Sequence, residues 1–202
     1  MKTTITSLAI ACLALVSGCS TISYDDPGKV ETLTIDWGST DLQTLAGQMV
    51  DSLIASPALN YLDNPGKGDD KRILVYMGGV ENRTSEHIDT EAITDSMSVK
   101  LLKSGKFRFT ASKQGQEEIG GQVRFQQGSG RVNPETARSF GKQYGADVVI
   151  YGTLRSIDKK SGRTEDVWYQ FVLSCVNIDT GEDIWKEEET LRKTAKRGIF
   201  GG

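Results

Sequence analysis

The sequence predicts an α+β fold, a mostly antiparallel or mixed sheet with helices on one face. Three observations carry that prediction. Apolar residues recur at helical spacing from Leu42 to Ile54: Leu42, Leu45, Ala46, Met49, Val50, Leu53 and Ile54 form one stripe. Residues 167–178 alternate as a long strand, with Tyr169, Phe171, Leu173 and Cys175 on one face and Trp168, Gln170, Val172 and Ser174 on the other. The elements read helix, strand, helix, strand, helix, then three strands joined by short turns, with no internal repeat.

In chain order, residues 1–18 are a leader. A single Lys2 precedes an apolar run from Ile5 to Val16, which is too short to span a bilayer. Leu15-Val16-Ser17-Gly18-Cys19 is the pattern a lipoprotein signal peptidase reads. Cys19 is the expected lipidation site and mature N-terminus, carrying acyl chains such as palmitate on sulfur and nitrogen. Two or more chains anchor stably where one is marginal. Ser20 rather than Asp follows the cysteine, which in a Gram-negative cell points to the outer membrane. The alternative is a secreted soluble protein whose leader happens to end in Cys.

Residues 19–36 are the lipidated N-terminus and a short polar tether. Extended, a tether of this length reaches about 70 Å; as a coil it averages about 25 Å. Ser39, Thr40 or Asp41 is placed to cap the first helix, and Pro57 to stop it. A loop at 64–70 leads to a buried strand, 72–77, ending in Gly78-Gly79. Residues 81–86 form a loop. Asp89 caps a second helix over 90–104 with Ile93, Met97 and Leu101 inward, and Gly105 ends it. Residues 106–110 alternate as a half-buried strand. Residues 114–121 suit a short helix, while 122–131 is glycine- and glutamine-rich. Asn133-Pro134 is expected to cap and open a third helix with Ala137, Phe140 and Tyr144 on its apolar face. Residues 147–154 form a strand, 159–163 a turn, and Asp179-Thr180-Gly181 a hairpin turn into a strand starting at Asp183. The organisation is a leader (1–18), a tether (19–36), one globular domain (37–191) and a basic tail (192–202).

Composition excludes several classes of function. The chain has 24 Lys and Arg against 27 Asp and Glu, a net charge of −3, and losing Lys2 with the leader adds one more negative unit. A broad nucleic-acid footprint is not expected. Cys12 leaves with the leader and Cys19 is acylated, so Cys175 stands alone and no intramolecular disulfide forms. A buried, inert thiol is the simplest reading of Cys175.

Catalytic signatures are weak. His87 is the only histidine, and nothing pairs it with a nucleophile; a solvated loop residue is the simpler reading. One thiol and one imidazole cannot close a zinc site, so no metal and no cofactor are expected. Gly78-Gly79 and Gly128-Ser129-Gly130 lack the context of a phosphate loop. Glu187-Glu188-Glu189 reads as a protective charge run on an edge strand. Trp37, Trp168 and Trp185 are core or interface residues. A tethered domain of this kind works by binding, not as an enzyme.

Three stretches, taken in order, carry a resemblance. They are Ile73-Leu74-Val75 running into Val80-Glu81-Asn82-Arg83-Thr84; Leu101-Leu102-Lys103-Ser104-Gly105-Lys106-Phe107; and Gly145-Ala146-Asp147-Val148-Val149-Ile150-Tyr151 with Asp179-Thr180-Gly181-Glu182-Asp183-Ile184-Trp185. After the lipobox and an Asp36-Trp37 entry, about residues 36–190 resemble the LpoB-type penicillin-binding-protein activator lipoproteins. The resemblance implies a four-stranded sheet flanked by helices, similar to the TolB N-terminal domain. It also implies a lipid anchor in the inner leaflet of the outer membrane, facing the periplasm. The implied role is a non-catalytic one: binding a bifunctional peptidoglycan synthase (penicillin-binding protein) and stimulating it, and so regulating the cell wall and cell shape. Compared with the best-known members, this tether is short and carries only Pro27, residues 114–133 match poorly, and the tail after Leu191 is extra.

The expected partner-binding residues are Asn82, Arg83 and Thr84. Arg83 can donate a bidentate pair to a carboxylate, and Asn82 can bond a backbone. Alternatively, Asn82 and Thr84 only satisfy the turn and cap the next helix. A monomer suits the activator. A non-catalytic part of an outer-membrane assembly or secretion system, and a wall hydrolase, are the competing functions.

Overall fold

A computed structural model describes residues 26–27, 29–30, 33–62, 69–138 and 145–196. The leader, Cys19, Phe140 and Tyr144 lie outside the described residues. Two compact units divide the chain, Met1–Val30 and Glu31–Gly202, and every element below belongs to the second. These elements are α1 (Ser39–Ala55), a 3-10 turn (Pro57–Tyr61), β1 (Ile73–Arg83), α2 (Thr90–Lys103), β2 (Phe107–Phe109), α3 (Lys113–Gly128), β3 (Val148–Ser161), β4 (Thr164–Asn177) and β5 (Asp183–Lys196).

The five strands form one mixed sheet in the order β2-β1-β3-β4-β5. β1 is parallel to both β2 and β3, while β3–β4 and β4–β5 are antiparallel hairpins. The α+β expectation and the mixed sheet hold. The four strands implied by resemblance are corrected to five, the number the residue pattern itself contains.

The core lies on one face of this sheet. Val75, Val148, Ile150, Leu154, Tyr169, Phe171, Leu173 and Cys175 are fully buried there, with Ala46, Met49 and Leu53 of α1 and Ile93, Met97 and Leu101 of α2. Each large side chain so removed from water contributes about 1.5–3 kcal/mol. The alternation read in β4 is therefore the one that packs.

The caps show how sequence starts and stops these helices. Gly38, not Ser39, is the N-cap of α1, and Asp41 reaches back to accept the Gly38 N–H at 2.8 Å. Asp89 caps α2 as expected, accepting from the N–H groups of Glu91 and Ala92 at 3.1 and 3.2 Å. Gly105 takes φ +73 where α2 ends.

Four expectations change. A single helix, α3, runs through residues 113–128, so the glycine- and glutamine-rich stretch is helical. Ser112 caps it, accepting from Gly115 N–H at 3.2 Å, and Gly120 and Val123 are buried along it. The helix expected from Asn133 is instead a turn in its described part: Asn133 Oδ1 accepts from Glu135 N–H at 3.0 Å. β1 does not end at Gly78-Gly79 but runs through them as a bulge to Arg83. Finally, Arg192–Lys196 are not tail but the last part of β5, paired with residues 164–168 of β4. Cross-strand hydrogen bonds hold this basic segment, and composition does not report them.

Candidate functional site

The end of β1 and the loop after it are held by their own side chains. Asn82 Nδ2 donates to the carbonyls of Glu86 (2.9 Å) and Ile88 (3.4 Å). Its Oδ1 accepts the N–H (2.9 Å) and hydroxyl (2.7 Å) of Thr84. Thr84 Oγ1 in turn accepts the N–H of Glu86 at 3.2 Å. Asn82 and Thr84 thus satisfy the turn; capping the next helix falls to Asp89.

Arg83, between them, stays exposed, and its Nη2 lies 2.7 Å from Glu81 Oε2. It stands opposite Arg155 in the β1–β3 register. The hydrogen bond from Arg83 holds the Glu81 carboxyl below its ordinary range, with Arg83 and Arg155 adding charge attraction. An exposed pair of this kind is held weakly. The guanidinium can therefore exchange Glu81 for a partner's carboxylate. The three residues named from sequence are brought together, but only Arg83 presents an exposed charged group, paired with Glu81, for contact.

Glu86 is the residue that the sequence reading missed. Its Oε2 accepts the Trp37 N–H at 2.8 Å, and its Oε1 accepts the Tyr169 hydroxyl. The Trp37 ring meets Tyr169 edge-on, with centroids 5.3 Å apart and planes at 66°. Burial, reinforced by Glu86, pushes the Tyr169 phenol well above its usual range. Ser85 Oγ donates to Asp158 of β3. The loop carrying Arg83 is thus fastened to the domain entry, to β3 and to β4. No local pattern marks Glu86, because its partners lie far along the chain.

Other candidates resolve as bland. His87 is exposed, and the nearby Asp89 carboxylate is committed to the α2 cap. Cys175 is buried, and desolvation, with a smaller contribution from Asp183, pushes its thiol up to about 12, which keeps it unreactive. Trp185 is buried and donates from Nε1 to Ser52 Oγ at 3.3 Å. Trp168 lies on the sheet face opposite the core. Among the described residues β5 is an edge strand, which places the run Glu187-Glu188-Glu189 on an edge, with Glu187 accepting the Ser52 hydroxyl at 2.5 Å. Among the described residues no group of three or more His, Cys, Asp or Glu is placed to hold a metal. None of the described helices is long and apolar enough to cross a membrane.

Residues 41–191 match the family described as "Peptidoglycan-synthase activator LpoB". No curated protein matches the chain. Among solved structures, the LpoB C-terminal domain from Escherichia coli is similar at 18% identity and a TM-score of 0.40, covering 75% of this chain and 98% of that one. The LpoB C-terminal domain from Salmonella enterica has 16% identity and a TM-score of 0.37, covering 74% and 94%. Lipoprotein GNA1162 from Neisseria meningitidis has 13% identity and a TM-score of 0.40, covering 63% and 88%.

Proposed function

Because this chain belongs to the LpoB family of peptidoglycan-synthase activators, we propose that it binds a bifunctional penicillin-binding protein and speeds its polymerisation of the cell wall. The family match carries the reading: it runs from the first turn of α1 into β5, and so takes in the whole core and the Arg83 loop. The protein acts by contact, without catalysis of its own. Cys19 carries acyl chains in the inner leaflet of the outer membrane, and the domain faces the periplasm as a monomer. The proposed sheet likeness to the TolB N-terminal domain belongs to the same reading.

The proposed contact is the Asn82-Arg83-Thr84 loop. Arg83 meets a partner carboxylate, while Asn82 and Thr84 keep it in position. The tether is short, so the synthase's periplasmic part comes outward to meet the domain.

Residues 20–202, made without lipid, are tested for binding to the periplasmic parts of the same organism's bifunctional synthases by surface plasmon resonance, beside a lipid II polymerisation assay. Binding with faster polymerisation is the expected result. A folded domain that binds none of them overturns the reading and favours a part in an outer-membrane assembly.

A further inference from the structure

β2 covers only the start of β1. Ile73, Leu74 and Val75 pair with Phe107, Arg108 and Phe109, and Thr110 N–H closes the ladder on the Val75 carbonyl at 2.9 Å. β1 then continues from Tyr76 to Arg83, paired with β3. Among the described residues no strand pairs with this stretch on its other side. A strand edge left in this way offers outward N–H and C=O groups to any extended chain that can reach it.

A cleft of about 450 Å³ lies beside this open edge, between β1, α2 and the segment from Phe109 to Ser112. Its walls are apolar where a side chain would seat: Tyr76 and Leu102 are 48% and 50% exposed there, with Met77 and Phe109 deeper. Both charged side chains that line it, Glu91 and Asp95 of α2, are acidic.

The edge is also shaped at this point. The β1–β3 register slips between Met77 and Gly79. Gly79 takes φ +100, which a side chain disfavours. A Cβ on Gly78 would stand 3.1 Å from the Ile150 carbonyl. The two glycines hold a bulge that twists β1 beside the cleft, a device that strands use to re-aim backbone at sites.

An open strand edge flanked by a helix, with apolar seats between them, is the geometry of strand addition. Main-chain bonds hold the added strand, and alternate side chains select it. We propose that the cleft takes an extended segment of the synthase, added to β1 beside Met77–Val80, with apolar side chains against Tyr76 and Leu102 and a Lys or Arg on Glu91 and Asp95. The acidic pair selects the basic residue by charge complementarity. This rests on the activator reading above and supplies the mode and chemistry of binding.

The test uses the isotope-labelled chain from residue 20, the synthase's periplasmic part, and peptides of about twelve residues tiling that part. One basic, apolar peptide is expected to slow amide exchange at Met77–Val80 by about tenfold or more and to displace the synthase. Leu102→Glu and Asp95→Lys are expected to weaken synthase binding about tenfold. Val99→Glu, on α2 and equally exposed but outside the cleft, leaves it unchanged. If the synthase binds while exchange at Met77–Val80 and both cleft variants stay unaffected, strand addition is overturned and the activator reading stands. If the folded chain binds no synthase, both fall.

Discussion

Lys193 of β5 forms an ion pair with Asp41 in the first turn of α1, and the two side chains keep only 14% and 8% of their surface in solvent. Lys193 Nζ also donates to the Asp36 carbonyl at 2.6 Å. One side chain thus ties the end of the last strand to the entry of the first helix. Asp41 meanwhile organises that helix start through the Gly38 N–H.

Lys193→Met should leave the Asp41 charge buried without its counter-charge. The expected loss is about 3 kcal/mol, read from urea midpoints. Deleting residues 192–202 should cost at least as much, because it also removes the end of β5. A neutral deletion would show that this segment is a tail after all.

Tyr169 gives the fold an alkaline limit. Its phenol keeps its proton in the folded state at pH values where an unfolded tyrosine, near 10, has lost it. The contribution is fully present below about pH 10 and is lost as pH rises beyond it. Tyr169→Phe should therefore flatten the fall in stability above pH 10. Below that pH it should cost about 1–2 kcal/mol, since Glu86 Oε1 loses its donor. Denaturant midpoints measured from pH 8 to 11 decide this.

Asn82 and Arg83 should separate stability from binding. Asn82→Ala removes the bonds to Glu86, Ile88 and Thr84 and should lower stability by about 1–3 kcal/mol. Arg83→Ala should leave the melting temperature unchanged and weaken synthase binding about tenfold. Equal loss of both properties in Arg83→Ala would make that residue structural.

Gly152 of β3 has no room for a side chain. A Cβ there would overlap the Val172 carbonyl and Leu173 Cδ2 on β4. Gly152→Ala should cost about 3 kcal/mol by forcing the β3–β4 pair apart, visible as a lower melting temperature. By contrast, Gly121→Ala in α3, where a Cβ meets nothing within 4 Å, should be neutral or mildly stabilising.

Much of the fold was legible because it is encoded locally. The 3.6-residue stripe of α1, the Asp89 cap of α2, the alternation of β4 and the Asp179-Thr180-Gly181 turn each need only neighbouring residues. Where local signals mislead, the reason is specific. Residues 114–121 read as a short helix with a glycine- and glutamine-rich stretch after it, yet α3 continues through that stretch to Gly128, with Gly120 and Val123 buried along it. The strand read at 147–154 and the turn read at 159–163 are also revised: β3 extends to Ser161 because residues 164–170 supply a partner strand, which leaves only Gly162 and Arg163 between the strands. At the candidate site, Arg83 was legible as an exposed donor, though it proves to be the last residue of β1 rather than a loop residue. The Glu86 anchor was not.

The sequence by itself determined the inward stripe of α1, the Asp89 cap of α2 and the inward face of β4, and it set the expectation of a lipid anchor at Cys19. These follow from periodicity, backbone stereochemistry and short motifs, all read within a few residues. The tertiary structure alone decided that Glu86 meets Trp37 and Tyr169, 49 and 83 residues away, and that Lys193 reaches Asp36 across 157. It also decided that β2 stops short and, among the described residues, leaves β1 an open edge. Such contacts form only when the folded sheet and helices bring distant segments together, and the chain carries no local sign of them.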